Sequence, residues 1–160
     1  MLNDAETIIE ELASLASQTL MQINTTHEKG AYWLTKSIIA NLRVCRYYIE
    51  EIRQCEWVTK YSEHLDQPAR GARICKRITD NVSNQVNGVR TEITFALRHF
   101  LDDRDATRLE EAQRLSILVA RTLYAETNWL RSDEIGYARL LARWEDTQLA
   151  SKDHKARFVH

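Results

Sequence analysis

Residues 74–100 read ICKRITDNVSNQVNGVRTEITFALRHF, and their spacing decides the fold. Ile74, Ile78, Val82, Val86, Val89, Ile93, Ala96 and Phe100 recur every three or four positions, with mostly polar residues between them. That period puts all eight on one stripe of an α-helix, whereas a half-buried strand would alternate with period two. From Val82 onward the intervals alternate four and three, a heptad-like seam that suits a bundle core or a dimer interface. Pro68, the only proline, stands just upstream, where a first helical turn tolerates it because its N–H groups lack partners anyway. The spacing predicts a helix over 67–101, about 50 Å long. Gly88 inside it costs about 1 kcal/mol against alanine, and close approach of another helix would be its usual reason.

Moving upstream, Tyr32 to Tyr61 carries a second seam: Leu34, Ile38, Leu42, Cys45, Ile49 and Ile52, less cleanly continued by Cys55, Val58 and Tyr61. It predicts a helix from about 31 to 65. Tyr32, Trp33, Tyr47, Tyr48 and Trp57 crowd the same stretch and widen its apolar surface, so this helix should meet neighbours on two sides. Ile9, Leu12, Ala16, Leu20 and Ile23 mark a first helix, ending in the polar Asn24-Thr25-Thr26. Downstream of Asp102-Asp103-Arg104-Asp105, a fourth helix carries Leu109, Ala112, Leu115, Val119, Leu123, Trp129 and Leu130. Ser132-Asp133-Glu134 could cap a fifth, containing Ile135, Tyr137, Leu140, Leu141 and Trp144, or could lie within one helix reaching about 149. Asn3 to Glu6, Thr25 to Glu28 and Thr107 to Glu110 each have capping-box spacing.

Four glycines and one proline in 160 residues leave few turns, which fits long elements. Long helices joined by short turns pack antiparallel. The expectation is one all-α domain over 1–150, an antiparallel bundle of four long helices with a possible fifth C-terminal helix. Breaks are expected near 25–30, 65–67 and 102–106, with a doubtful one at 131–134. The tail 151–160 shows no periodicity and should fray.

A net charge of −1 provides no global field for nucleic acid or anionic lipid. No 18-residue apolar run suits a membrane span, and no basic leader opens the chain. Cys45, Cys55 and Cys75 are an odd number without close spacing, which argues for buried thiols and a reducing, cytoplasmic location. Cys45 falls on an apolar seam; Cys75 lies among Arg73, Lys76 and Arg77, which could lower its pKa, but it also adjoins Ile74 and Ile78.

The chemistry-bearing motifs are missing. No histidine (27, 64, 99, 154, 160) follows a glutamate by three, as a ferritin-like di-iron site would need. His-Glu-x-x-His, Cys-x-x-Cys and Gly-rich phosphate loops are also absent. Tyr32 and Lys36 have the spacing of a proton-transfer dyad that belongs to a dinucleotide-binding α/β fold, which nothing here supports. His99 and Asp103 stand at i,i+4 and could share a metal, although a histidine in a last helical turn already favours the macrodipole. No cofactor or metal is expected.

Two surfaces remain. Arg70, Arg73, Lys76 and Arg77 open the third helix and Asn81, Asn84, Gln85 and Asn87 continue its polar face, a mixture that could contact phosphates and base edges. Arg46 and Arg53 would extend the strip if helices two and three pack antiparallel. The plainer interpretation of such charges is a solvated face. The aromatics Trp33, Tyr48, Trp57, Trp129 and Trp144 provide more apolar area than a small core needs, and such residues often anchor interfaces. The leading expectation is a non-enzymatic interaction protein, an adaptor, inhibitor or assembly subunit that binds another protein or itself as a homo-oligomer. A nucleic-acid-binding or regulatory bundle is the alternative.

Overall fold

A computed structural model of the chain describes residues 2–53, 68–132, 145, 148–150 and 152, with the backbone alone for 68–72, 131 and 132. The fold is an all-α bundle of four long helices with a short fifth helical segment near the C-terminus. The long helices are α1 (Leu2–Met21), α2 (Lys29–Ile52), α3 (Pro68–Asp103) and α4 (Leu109–Ser132). Glu145, Gln148 and Leu149 are helical, within the reach expected of the C-terminal helix, and so are Ala150 and Lys152, the latter in the tail expected to fray. Helix α2 ends at Ile52, short of the expected 65. Residues 54–65, the remainder of the expected tail and the residues after Ser132 at the doubtful break lie outside the described residues.

Most of each seam is buried. Ile78, Val82, Val86, Val89, Ile93, Ala96 and Phe100 of α3 are buried, as are Ile38, Leu42, Cys45, Ile49 and Ile52 of α2, whereas Ile74, Leu34, Leu20 and Leu115 are half-buried and Trp129 is exposed. Ile9, Leu12 and Ala16 of α1 and Leu109, Ala112, Val119 and Leu123 of α4 complete a single core.

Paired side chains give the directions. Arg46 meets Glu10 at 3.4 Å and Arg53 donates to Asn3 Oδ1 at 2.8 Å, so α1 and α2 run antiparallel. Arg77 meets Glu126 at 3.4 Å while Arg108 covers the Phe95 ring at 4.6 Å, so α3 and α4 also oppose each other. Arg90 reaches Glu11 and Arg104 reaches the Gln22 carbonyl, which makes α1 and α3 parallel neighbours. Gln113 donates to Ser37 and Asn41 to Ser116, each at 3.0 Å, making α2 and α4 parallel neighbours too. Successive helices therefore alternate in direction, as expected, but around the bundle the order is α1, α2, α4, α3. Helices α2 and α3 lie diagonally, each packed against α1 and α4. The two run antiparallel, as the basic strip required, but they are not neighbours.

None of the three capping boxes forms. Glu6 pairs with Arg53, and Asn3 accepts from the same guanidinium. In the first turn region Asn24, one residue earlier than expected, accepts from the Thr26 and His27 amides, and Glu28 Oε1 returns to the Asn24 amide at 3.0 Å. Before α4 it is Asp105 that accepts from the Thr107 amide, at 3.0 Å. An amide or carboxylate one or two residues upstream outcompetes the threonine in both turns. At the end of α3, Arg104 takes a left-handed φ of 56° and its amide returns to the Phe100 carbonyl at 2.8 Å. This is the helix-ending geometry that glycine usually supplies. Gly88 also departs from expectation: a Cβ built there meets nothing within 4 Å, so no helix approaches it.

Candidate functional site

Each α-helix in a bundle turns one face inward, and the opposite face normally carries charge. At about 100° per residue, the outward directions follow from the buried residues. On α1 that face holds Asn3, Thr7, Ser14 and Gln18; on α3, Arg73, Asp80, Asn84, Thr91 and Arg98; on α4, Arg114, Arg121, Ala125 and Asn128. These exteriors are mostly polar, each with one large exposed apolar residue near that direction: Met21 on α1, Phe95 on α3 and Leu118 on α4. On α2 the direction opposite Ile38, Leu42, Cys45 and Ile49 is occupied by Trp33, Ala40, Val44 and Tyr47. Trp33 is 65% exposed, Tyr47 57% and Val44 41%. The helix is apolar on both sides.

The stripe from Trp33 to Tyr47 is about 21 Å long at 1.5 Å per residue. Its residues are held in place from behind. Tyr32 meets Trp33 edge-on at 5.4 Å, and Lys36 lies over both rings, 5.2 and 5.4 Å from their centroids. At the other end Tyr47 packs edge-on against Tyr48 at 5.5 Å, and Tyr48 against Tyr124 of α4 at 5.6 Å. Between them a shallow groove lined by Asn41, Val44, Tyr48, Ile117, Ala120, Arg121 and Tyr124 follows the α2/α4 seam. Lys29 and Lys36 sit at one end of the stripe, and Glu50 and Glu51 at the other.

Of the aromatics singled out in the sequence, Trp33 and Tyr48 belong to this surface. Trp129 does not: it lies on the α3 side of α4 beneath the Arg77 guanidinium, 4.4 Å from its centroid. Trp57 and Trp144 lie outside the described residues. The aromatic surplus of α2 thus divides into half-buried Tyr32 and Tyr48, which meet the core, and exposed Trp33 and Tyr47. Sequence reasoning missed Ala40 and Val44. Their signal was present, since 33, 40, 44 and 47 repeat at intervals of seven, four and three, half a turn from the seam.

The basic strip is not one surface. Arg46 and Arg53 lie against α1, paired with Glu10 and Glu6, and Arg53 also meets Glu50 at 3.2 Å. Arg77 is on the far diagonal, where Glu126 receives it and Asn81, the latter at 2.7 Å. Lys76 pairs with Asp80 at 2.9 Å, a hydrogen bond that raises the lysine pKa. Arg73 and Asn84 remain exposed on the outer face of α3. For Arg70 only the helical backbone is described.

The other candidate chemistry resolves into structure. The His99 ring uses both nitrogens, Nδ1 on Asp103 and Nε2 on Asp105, each at 3.1 Å, and stacks on Phe95. Two carboxylates on opposite edges of one imidazole cannot converge on an ion with it, and no group of metal-ligating residues occurs among the described residues. Cys45 is a free, buried thiol, and burial pushes its pKa up to about 12, so it stays protonated. Cys75 is half-buried. Lys36, over the Tyr32 ring, is a packing contact. No described helix is long and apolar enough to cross a membrane.

Fold and surface together define a class: a helical bundle with one apolar outer face and, among the described residues, no assembled metal site. Comparison with protein families, curated proteins and solved structures finds no match to this chain.

Proposed function

We propose that this is a non-enzymatic interaction protein, an adaptor, inhibitor or assembly subunit, that docks a protein partner on the outer face of α2. One observation carries the reading: Trp33, Ala40, Val44 and Tyr47 occupy the direction opposite the core, whereas each of the other three long helices shows one large apolar residue near that direction, Met21, Phe95 or Leu118, among polar ones. Exposed apolar area of this kind, rimmed by charge, is typical of protein-binding sites. Aromatic residues at its two ends are the usual anchors. The buried thiol of Cys45 supports a reducing compartment, and we place the protein in the cytoplasm on that ground.

A photo-crosslinking residue at Tyr47 tests the reading, with the same residue at Thr91 on the outer face of α3 as control. We expect Tyr47 adducts that vanish when Val44→Asp is added, and none from Thr91. Equal labelling from both positions, or none from Tyr47, would overturn it. The nucleic-acid alternative has less support, because Arg46, Arg53 and Arg77 are already committed to carboxylates within the chain.

A further inference from the structure

We propose that the partner on this face is a second copy of the chain, bound antiparallel through α2 about a two-fold axis between Ala40 and Val44. The inference rests on the docking reading above and names its occupant. A two-fold interface must be self-complementary, since every residue meets the partner of its own mirror position. Reversing α2 about that midpoint pairs positions whose numbers add up to about 84. Ala40 then faces Val44 of the second copy, small against branched. Ser37 comes level with Tyr47 of the second copy, and the Trp33 ring reaches the level of its Glu51. Large side chains thus stand level with small or polar ones.

Charge selects the antiparallel direction. The face is basic at its N-terminal end, with Lys29 and Lys36, and acidic at its C-terminal end, where Glu50, also met by Arg53, is largely exposed. In antiparallel pairing the same flank of each helix meets, so Lys36 comes level with Tyr47 to Glu50 of the second copy. Parallel pairing brings opposite flanks together and sets Lys36 level with Lys36 of the second copy, so the lysine meets no carboxylate there. Lys36 rests on aromatic rings in the single chain, and no carboxylate among the described residues receives it. Arg43 shares the Lys36 flank near the axis, but it lines the α1/α2 groove together with Glu10, away from its symmetry mate. The two helix dipoles also oppose each other in this arrangement.

The surface is small. Covering Trp33, Val44 and Tyr47 on both copies, with the residues between, removes on the order of 1000 Å², near the low end for specific interfaces. The dimer is therefore weak and reversible, with dissociation in the micromolar range.

Sedimentation equilibrium of the purified full chain from about 1 µM to about 1 mM reads this directly. We expect monomer at the low end and dimer at the high end. Val44→Asp should leave a monomer throughout, and Thr91→Glu should change nothing. Lys36→Glu and Glu50→Lys should each weaken the dimer about tenfold, and the double variant should recover most of that loss. Circular dichroism and urea midpoints confirm that each variant is folded. A wild-type monomer at about 1 mM, a dimer indifferent to Val44→Asp, or a charge swap that restores nothing would overturn the inference. If the wild type is monomeric while Tyr47 crosslinks a different protein in a Val44-dependent way, the homodimer fails and the docking reading stands. If Tyr47 crosslinks nothing, both fail.

Discussion

Helices α2 and α3 occupy opposite corners of the bundle and bury similar seams, yet their outer faces are built on different terms. The polar flanks of α3 are mostly satisfied within the chain, while Arg73 and Asn84 face solvent. Arg77 and Asn81 are received by Glu126, Lys76 by Asp80, Arg90 by Glu11, and Phe95 lies between His99 and Arg108. The exterior of α2 carries Trp33, Val44 and Tyr47 into solvent. The difference teaches that the basic residues, conspicuous in the sequence as a binding patch, are internal glue, whereas the less conspicuous aromatics hold the unsatisfied surface. A polar group can be satisfied by a neighbour on the same chain; an exposed indole on the outside of a helix gains nothing until something covers it.

The largest test compares the two apolar faces of α2 itself. Ile49 is fully buried, so Ile49→Ala should cost about 3 kcal/mol, as core truncations do. Tyr47→Ala, two residues away, should fall within about 0.5 kcal/mol of wild type when measured at dilute concentration. Urea denaturation at low micromolar protein gives both. A comparable cost at Tyr47 would mean that its ring supports the monomer, and the contrast would collapse.

The next effect belongs to α3. The Glu126 side chain is 10% exposed and holds both Asn81 and Arg77. Removing it leaves the Asn81 amide without its acceptor, while Arg77, half in solvent, loses less. Glu126→Ala should cost about 2 kcal/mol, and a double-mutant cycle with Asn81→Ala should show most of that loss as coupling. Smaller again, and opposite in sign, is Gly88→Ala on the exposed side of α3. With open space around the new methyl group, the helix should gain about 1 kcal/mol, visible as a raised urea midpoint.

How much of this was legible in the sequence follows from range. The seams of α2, α3 and α4 were readable because burial imposes a period over eight or more positions, as from Ile74 to Phe100. The outward stripe was equally periodic, but Trp33 and Tyr47 were absorbed into a general aromatic surplus and Ala40 and Val44 went unnoticed. The diagonal placement of α2 and α3 was not legible, because it depends on pairings such as Asn41 with Ser116 that join residues 75 positions apart. For the same reason Arg53 looked free: its carboxylate, on Glu6, lies in another helix. The capping boxes failed at shorter range. Asn24 and Asp105 simply reached the turn amides before Thr25 and Thr107 could.

The subtlest test of the contrast uses acid. If the polar flanks of α3 are satisfied by their own neighbours, titrating those neighbours must loosen them, while the outer stripe of α2, from Trp33 to Tyr47, has no carboxylate to titrate. Asp105 accepts from the Thr107 amide and from His99, and these bonds, the backbone one foremost, lower its pKa to about 2 from an ordinary 3.8. Between those values the unfolded chain binds the proton and the folded chain does not, so this stabilisation is complete above about pH 4 and declines as pH falls toward 2. The Thr107 amide resonance should therefore titrate with a midpoint near 2. Asp105→Asn keeps an oxygen for the Thr107 amide but has no proton to gain. It should abolish that titration and flatten the local pH dependence of amide exchange across the turn from α3 into α4. A Thr107 midpoint near 3.8 would show the carboxylate to be free, and the self-satisfied flank of α3 would then end at His99.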